Sequence, residues 1–240
     1  MSDVDAIPVN DMLLELRNRT IADIVQLQDF HVFTGYSYDR YAKMVAAGHL
    51  TGNVTNLRTS TTLADKEVAD ILLAYLDDDL PQVVLYQVVA YYETFFFDFL
   101  KILLQNNPYA LSQKRQLAVQ EVLSQSDLQK LILYLIEREL HELRYKNVQE
   151  WFAYLERVIN LKTIGISEIN RLSELKATRD IVAHNAGIVN DIYIQKAGSL
   201  ARARIGEAIS VSRPYVYDSA DFLKHLVFEL TNDAYARLHQ

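Results

Sequence analysis

Seven glycines and four prolines in 240 residues leave this chain very few places to turn tightly. A chain punctuated so sparsely folds as long helices joined by few loops. Half of its residues are apolar, enough to bury a sizeable core. No internal repeat and no low-complexity tract breaks the pattern. The expected class is all-α: a helical bundle preceded by a helical extension.

Apolar periodicity and capping residues locate the helices. A first helix is expected over residues 10–30 and a short one over 38–47, closed by Gly48 as a C-cap. The polar, β-branched stretch 52–62 reads as a loop. It divides an N-terminal helical extension, 1–62, from the main helical domain, 63–240. A third helix is expected over 63–78. Pro81 then opens a fourth, running to about 105, because a proline N-terminus lacks no hydrogen bond there. A fifth covers 112–123. Ser126 and Gln129 form a capping-box pattern opening a sixth, to 145, and Asn147 with Glu150 repeats it for a seventh. An eighth runs from Ser167 as N-cap to about Gly187. A short helical turn, a loop with a small β-ribbon over 198–211, and a last helix over 219–238 complete the chain.

The stretch 83–104 is the most apolar. It is long enough to span a bilayer, but Glu93, Asp98 and Lys101 interrupt it, so a central buried helix is expected and no membrane is implied. Its aromatics, Tyr86, Tyr91, Tyr92, Phe95, Phe96, Phe97 and Phe99, have no basic residues among them. They read as core rather than as a base-stacking platform. Cysteine is absent, which removes disulfides, thiolate nucleophiles and cysteine-type zinc sites. The acidic N-terminus has no apolar h-region of a signal peptide. A soluble, cytoplasmic protein is the expectation.

The net charge of −7 opposes tight non-specific binding to a polyanion. The charge is uneven, however. Residues 171–213 carry Arg171, Lys176, Arg179, Lys196, Arg202, Arg204 and Arg213 against Glu174, Asp180, Asp191 and Glu207. An anionic substrate would be met in this window, although a local excess of this size is also an ordinary fluctuation.

Within it, Ile169, Leu172, Leu175 and Val182 define the buried stripe of the eighth helix. Arg179 falls on that stripe, about 20° from Leu172. A guanidinium there needs an anion, because an unpaired buried charge is costly. That anion is either a carboxylate of another helix or a substrate phosphate. His184 lies five residues on, about 140° around an ideal helix. On one chain the two side chains diverge; two copies of the helix meeting across a two-fold axis would let both border one cleft. His184 also occupies the last turn, where the helix dipole favours a cation. The bland alternative is a buried Arg–Glu pair beside a surface histidine.

The segment LSELKATRDIVAHNAGIVNDIYI, residues 172–194, resembles the signature of the HEPN superfamily: Arg179, polar Asp180, apolar Ile181, Val182 and Ala183, then His184 and Asn185. YKNVQEWFAYLERV, 145–158, looks like the helix preceding that signature in such domains, and YYETFFFDFLK, 91–101, like their earlier, Glu-bearing core helix. The resemblance is densest over 126–193 and extends over about 63–238. It implies a homodimeric, metal-independent endoribonuclease without a cofactor, of the kind that acts as a toxin or in antiviral defence, with an inhibitor or antitoxin protein as a further partner. Arg179 would hold the scissile phosphate of RNA, and His184 would act as general base on the 2′-OH or acid on the leaving 5′-oxygen, giving a 2′,3′-cyclic phosphate. Asp180, Asn185 and Glu93 would support the pair; Lys176, Arg202 and Arg204 would bind substrate. Glu93 is equally well read as a plain ion-pair partner of Arg179. Ala186 stands where the branch paired with a nucleotidyltransferase antitoxin often carries a tyrosine, which sets this chain apart from that branch.

No glycine-rich phosphate loop, zincin motif or nucleophile elbow occurs, and the remaining histidines show no metal-ligand spacing. The rival functional expectation is a non-catalytic HEPN-type module that binds a protein partner or a nucleotide-containing ligand.

Overall fold

An apolar helix has to be covered over most of its surface. Helix α3 (Leu80–Asn106) buries Val84, Leu85, Val88, Val89, Tyr92, Phe95, Phe96, Phe97, Phe99, Leu100, Leu103 and Leu104, and leaves Val83, Gln87, Ala90 and Thr94 as an exposed edge. The computed structural model describes residues 8–56, 59–112, 116–161 and 163–238. Among them the fold is all-α, with no β-strand; α3 runs through the middle and packs against α1 (Val9–Ala46), α5 (Leu128–Arg144), α6 (Val148–Ile159), α7 (Ile166–His184) and α9 (Arg213–Leu238). The smaller elements are α2 (Asp65–Ala74), α4 (Val119–Leu123) and α8 (Asp191–Ala197).

The aromatics of α3 are core. Phe96 stacks on Trp151 at 5.3 Å between centroids, and Phe97 meets the same indole edge-on at 4.9 Å. The indole N–H donates to the Leu143 carbonyl at 2.8 Å, so this large ring is buried without an orphaned polar atom. Truncating one such phenylalanine to alanine would cost about 3–5 kcal/mol.

Several helix boundaries differ from those read in the sequence. The helices expected over 10–30 and 38–47 are one helix of 38 residues, α1. Gly35, within α1, lets the helix approach Leu76, whose Cδ1 would lie 3.0 Å from an added Cβ. The break expected between 78 and 81 is a π-helical turn, Tyr75–Asp79, that joins α2 to α3 without interruption. It lies just ahead of Pro81, which has no N–H for the ordinary helical bond. Helix α5 is capped by Asp127, which accepts from the Lys130 N–H at 2.9 Å; Ser126 supports that carboxylate instead of capping. The N-cap of α7 is Gly165 rather than Ser167, and α9 begins at Arg213, six residues before the expected start. The capping box of Asn147 and Glu150 on α6 forms as read. Of the helix expected over 112–123, residues 113–115 lie outside the described residues and the helical part is α4.

Leu13, Leu16 and Ile24 of α1 belong to the same core cluster as α3. The N-terminal helix is thus packed onto the main domain through shared side chains. The run Asp65–Asn106 is long and apolar enough to cross a membrane, yet 56% of its most apolar window is buried inside the fold, which is compatible with a soluble protein.

Candidate functional site

Helix α7 is buried on two sides. Leu172, Leu175 and Val182 join the main core, while Ala177 and Ile181 pack in a second cluster with Val189, Tyr193 and Ala197. The helix ends at His184 because the chain turns through Ala186 and Gly187, both at positive φ (50° and 73°). Asn185 fixes that turn, its side-chain amide donating to the Ile188 carbonyl at 2.5 Å. The chain then returns through α8, which is capped by Asn190, and an isolated antiparallel bridge between Ile188 and Ala208. That bridge is all that forms of the β-ribbon expected over 198–211.

Between α7 and α3 lies a chain of charges. Arg179 Nη2 donates to Glu93 Oε1 at 2.7 Å, and the Lys176 ammonium donates to the same oxygen. The ammonium also sits over the Trp151 ring, 4.3 Å from its centroid. Burial pushes the Lys176 pKa down, and Glu93 opposes that shift. Arg179 Nε is 3.3 Å from Asp180 Oδ1 but makes no hydrogen bond, and Asp180 is in turn paired with Lys196 at 3.1 Å. Two carboxylates thus hold three cations. Only one guanidinium nitrogen of Arg179 donates a hydrogen bond among the described residues, and the side chain is 23% exposed. Beside this cluster a cavity of about 380 Å³ is lined by Asn147, Gln149, Ser173, Lys176, Asp180 and Lys196.

His184 is exposed, with no hydrogen bond or ion pair among the described residues. The helical spacing points it away from Arg179, so a single chain does not bring the two together. Among the expected supporting residues, Glu93 and Asp180 touch Arg179, whereas Asn185 serves the turn.

The basic residues expected to meet substrate separate into different roles. Lys176 belongs to the Glu93 cluster. Arg202 is on the surface, its side chain 29% exposed, yet its guanidinium is tied back to the fold: it donates to Glu174 at 2.9 Å, to the Ser210 carbonyl at 2.8 Å and to Thr178 at 3.2 Å, and it lies over the Tyr215 ring at 3.7 Å. Burial works against its charge, but Tyr215 and Glu174 outweigh burial and raise its pKa. All three of its side-chain nitrogens donate within the chain. Arg204 is exposed at the following turn, where its backbone N–H donates to Glu207.

No family model, curated protein or solved structure matches the chain. Among the described residues no group of three or more His, Cys, Asp or Glu could hold a metal ion.

Trp151 and Lys196 belong to the charged cluster and were not picked out as site residues. Trp151 reads only as part of an apolar stripe, since a cation above its ring leaves no trace in helical periodicity. Lys196 reaches Asp180 from α8, sixteen residues on, a spacing that becomes legible only once α8 folds back on α7.

Proposed function

We propose that this chain is a metal-independent endoribonuclease of the HEPN type, acting in the cytoplasm as a homodimer and serving as a toxin or antiviral defence effector. The observation that carries this reading is the state of the two motif residues on α7. Arg179 is anchored through one nitrogen by Glu93 while part of its guanidinium stays exposed, and His184 stands unpartnered at the end of the same helix. In this reading two α7 helices meet across a two-fold axis, so that Arg179 of one copy and His184 of the other face one phosphate. His184 takes the 2′-OH proton as the 2′-oxygen bonds to phosphorus and the P–O5′ bond breaks; Arg179 neutralises the developing charge, the departing 5′-oxygen takes a proton from water, and a 2′,3′-cyclic phosphate and a free 5′-OH result. A cognate antitoxin would act by covering this face.

The purified protein, incubated with mixed RNA in EDTA, is expected to release fragments bearing cyclic-phosphate ends. Arg179→Ala and His184→Ala are each expected to abolish them, and a DNA of the same sequence should resist because it lacks the 2′-OH. Cleavage that survives both substitutions, or no cleavage at high concentration, overturns the proposal. Arg179→Ala leaves Glu93 paired with Lys176, so loss of activity there does not require loss of the fold.

A second reading has one observation in its favour. Glu93 and Asp180 already flank Arg179, which is what a structural ion pair looks like. In that reading the domain is a non-catalytic helical module for a protein partner or a nucleotide-containing ligand, and Arg179→Ala changes stability without any nuclease activity to lose.

A further inference from the structure

The outer face of α1 carries large apolar side chains that nothing in the fold covers. Val25, Val32, Phe33 and Tyr36 are all exposed, Phe33 by 68% and Tyr36 by 60%. With Asp29 and Arg40 they occupy an arc of about 100° on an ideal helix, opposite the face that buries Ile24, His31, Gly35 and Ala42. Isolated exposed apolar residues are ordinary, but a continuous stripe on one rigid helix marks an interaction surface.

The charges on this stripe identify the occupant. In an antiparallel pair of α1 helices crossing between Phe33 and Tyr36, Phe33 of one copy lies against Tyr36 of the other. Asp29, four residues before Phe33, then faces Arg40 of the second copy, four residues after its Tyr36. The two-fold axis repeats both contacts, so the pattern is self-complementary. A parallel pair would set Asp29 against Asp29. Asp29 has no ion pair or hydrogen bond among the described residues, and Arg40 donates only to the Tyr36 hydroxyl, at 3.0 Å. Both are free to engage a partner. We propose that α1 is the docking surface for a second copy of this chain, paired antiparallel through Val25, Val32, Phe33 and Tyr36 and closed by two Asp29–Arg40 ion pairs.

The surface is separate from any pairing of α7. Helix α1 packs on α2, α3 and α9, whereas α7 packs on α3, α6 and α8. Two helices meeting over this length bury on the order of 1,000 Å² in all, at the weak end of specific interfaces, so the contact is reversible in the micromolar range.

Sedimentation equilibrium across that range tests the pairing. The wild type is expected to associate. Asp29→Arg and Arg40→Asp each set like charges opposite one another twice and are expected to weaken association at least about tenfold. Mixing the two variants restores opposite charges at both contacts, so the mixture is expected to associate like the wild type, as is the double variant. If α7 also pairs, each single variant reduces the assembly to the α7-paired dimer rather than to one chain. A wild type whose mass never rises with concentration, a mass insensitive to both single variants, or a mixture that behaves like its components overturns the proposal. The first of these results would assign the stripe to a different occupant.

Discussion

Removing the Glu174 carboxylate should destabilise the fold far more than a surface change on α7. Glu174 is buried, its side chain 7% exposed, and among the described residues it is the only carboxylate paired with Arg202, whose side chain is 29% exposed. Its two oxygens accept from Thr178 at 2.7 Å, from Arg202 at 2.9 Å, from Tyr215 at 2.9 Å and from Tyr193 at 3.4 Å. Glu174→Ala leaves a guanidinium against the Tyr215 ring without its counter-ion. Breaking a buried pair from one side costs about 3–5 kcal/mol, and the partial exposure of Arg202 screens that to about 2–4 kcal/mol. In a domain of this size such a loss lowers Tm by about 4–16 °C. Chemical denaturation of Glu174→Ala, Arg202→Met and the double variant measures it. The double variant should lose clearly less than the two single losses added, because the second substitution removes the charge that the first stranded. A Glu174→Ala loss below about 1 kcal/mol, or strict additivity in the cycle, would refute the assignment of this network as a structural tie between α7, α8 and α9.

Two further outcomes follow from the same structure. His31 is buried with neither ring nitrogen bonded, stacked on Tyr217 at 5.1 Å, and burial, with Arg213 adding to it, lowers its pKa below the usual 6.5. The unfolded chain therefore takes up this proton before the folded one does. His31 should leave stability unaffected above about pH 6.5 and erode it as pH falls below that value; His31→Phe should flatten this part of a stability–pH curve, and an unchanged slope would contradict it. Glu93 neutralises both Lys176 and Arg179, so Glu93→Ala should cost about 2–4 kcal/mol in a denaturation titration, whereas Lys176→Met, which keeps contact with Trp151 and leaves Glu93 to Arg179, should stay within about 1 kcal/mol.

The central helix, the all-α class and the cap of α6 are readable because each depends on local chemistry: a long, mostly apolar run, sparse glycine and proline, and an Asn–Glu box. What was misread depends on contacts with distant residues. A gap is expected over 31–37, yet α1 continues through it, and Leu76 uses the space that Gly35 leaves. Pro81 looks like a start, yet a π turn carries the helix through it. In the site, the pairing of Arg179 with Glu93 was one of two open readings of a cation on an apolar stripe. The hydrogen bonds of Arg202 are not readable, because its partners Glu174, Thr178 and Ser210 converge only after α7 and the 198–211 segment pack together. An arginine in a loop gives no sequence sign that it serves a buried carboxylate.

The shared-site account is tested most directly by mixing two inactive variants. Arg179→Ala and His184→Ala proteins should each fail to cleave RNA. If each site takes its arginine from one copy and its histidine from the other, subunits exchanged between the two variants form mixed dimers with one intact site. The mixture should then recover about a quarter of wild-type cleavage, since half of the dimers are mixed and each carries one of two sites. A mixture as inactive as its components, in a sample where exchange is demonstrated and the wild type cleaves, would show that the two residues do not complete one site across a two-fold axis.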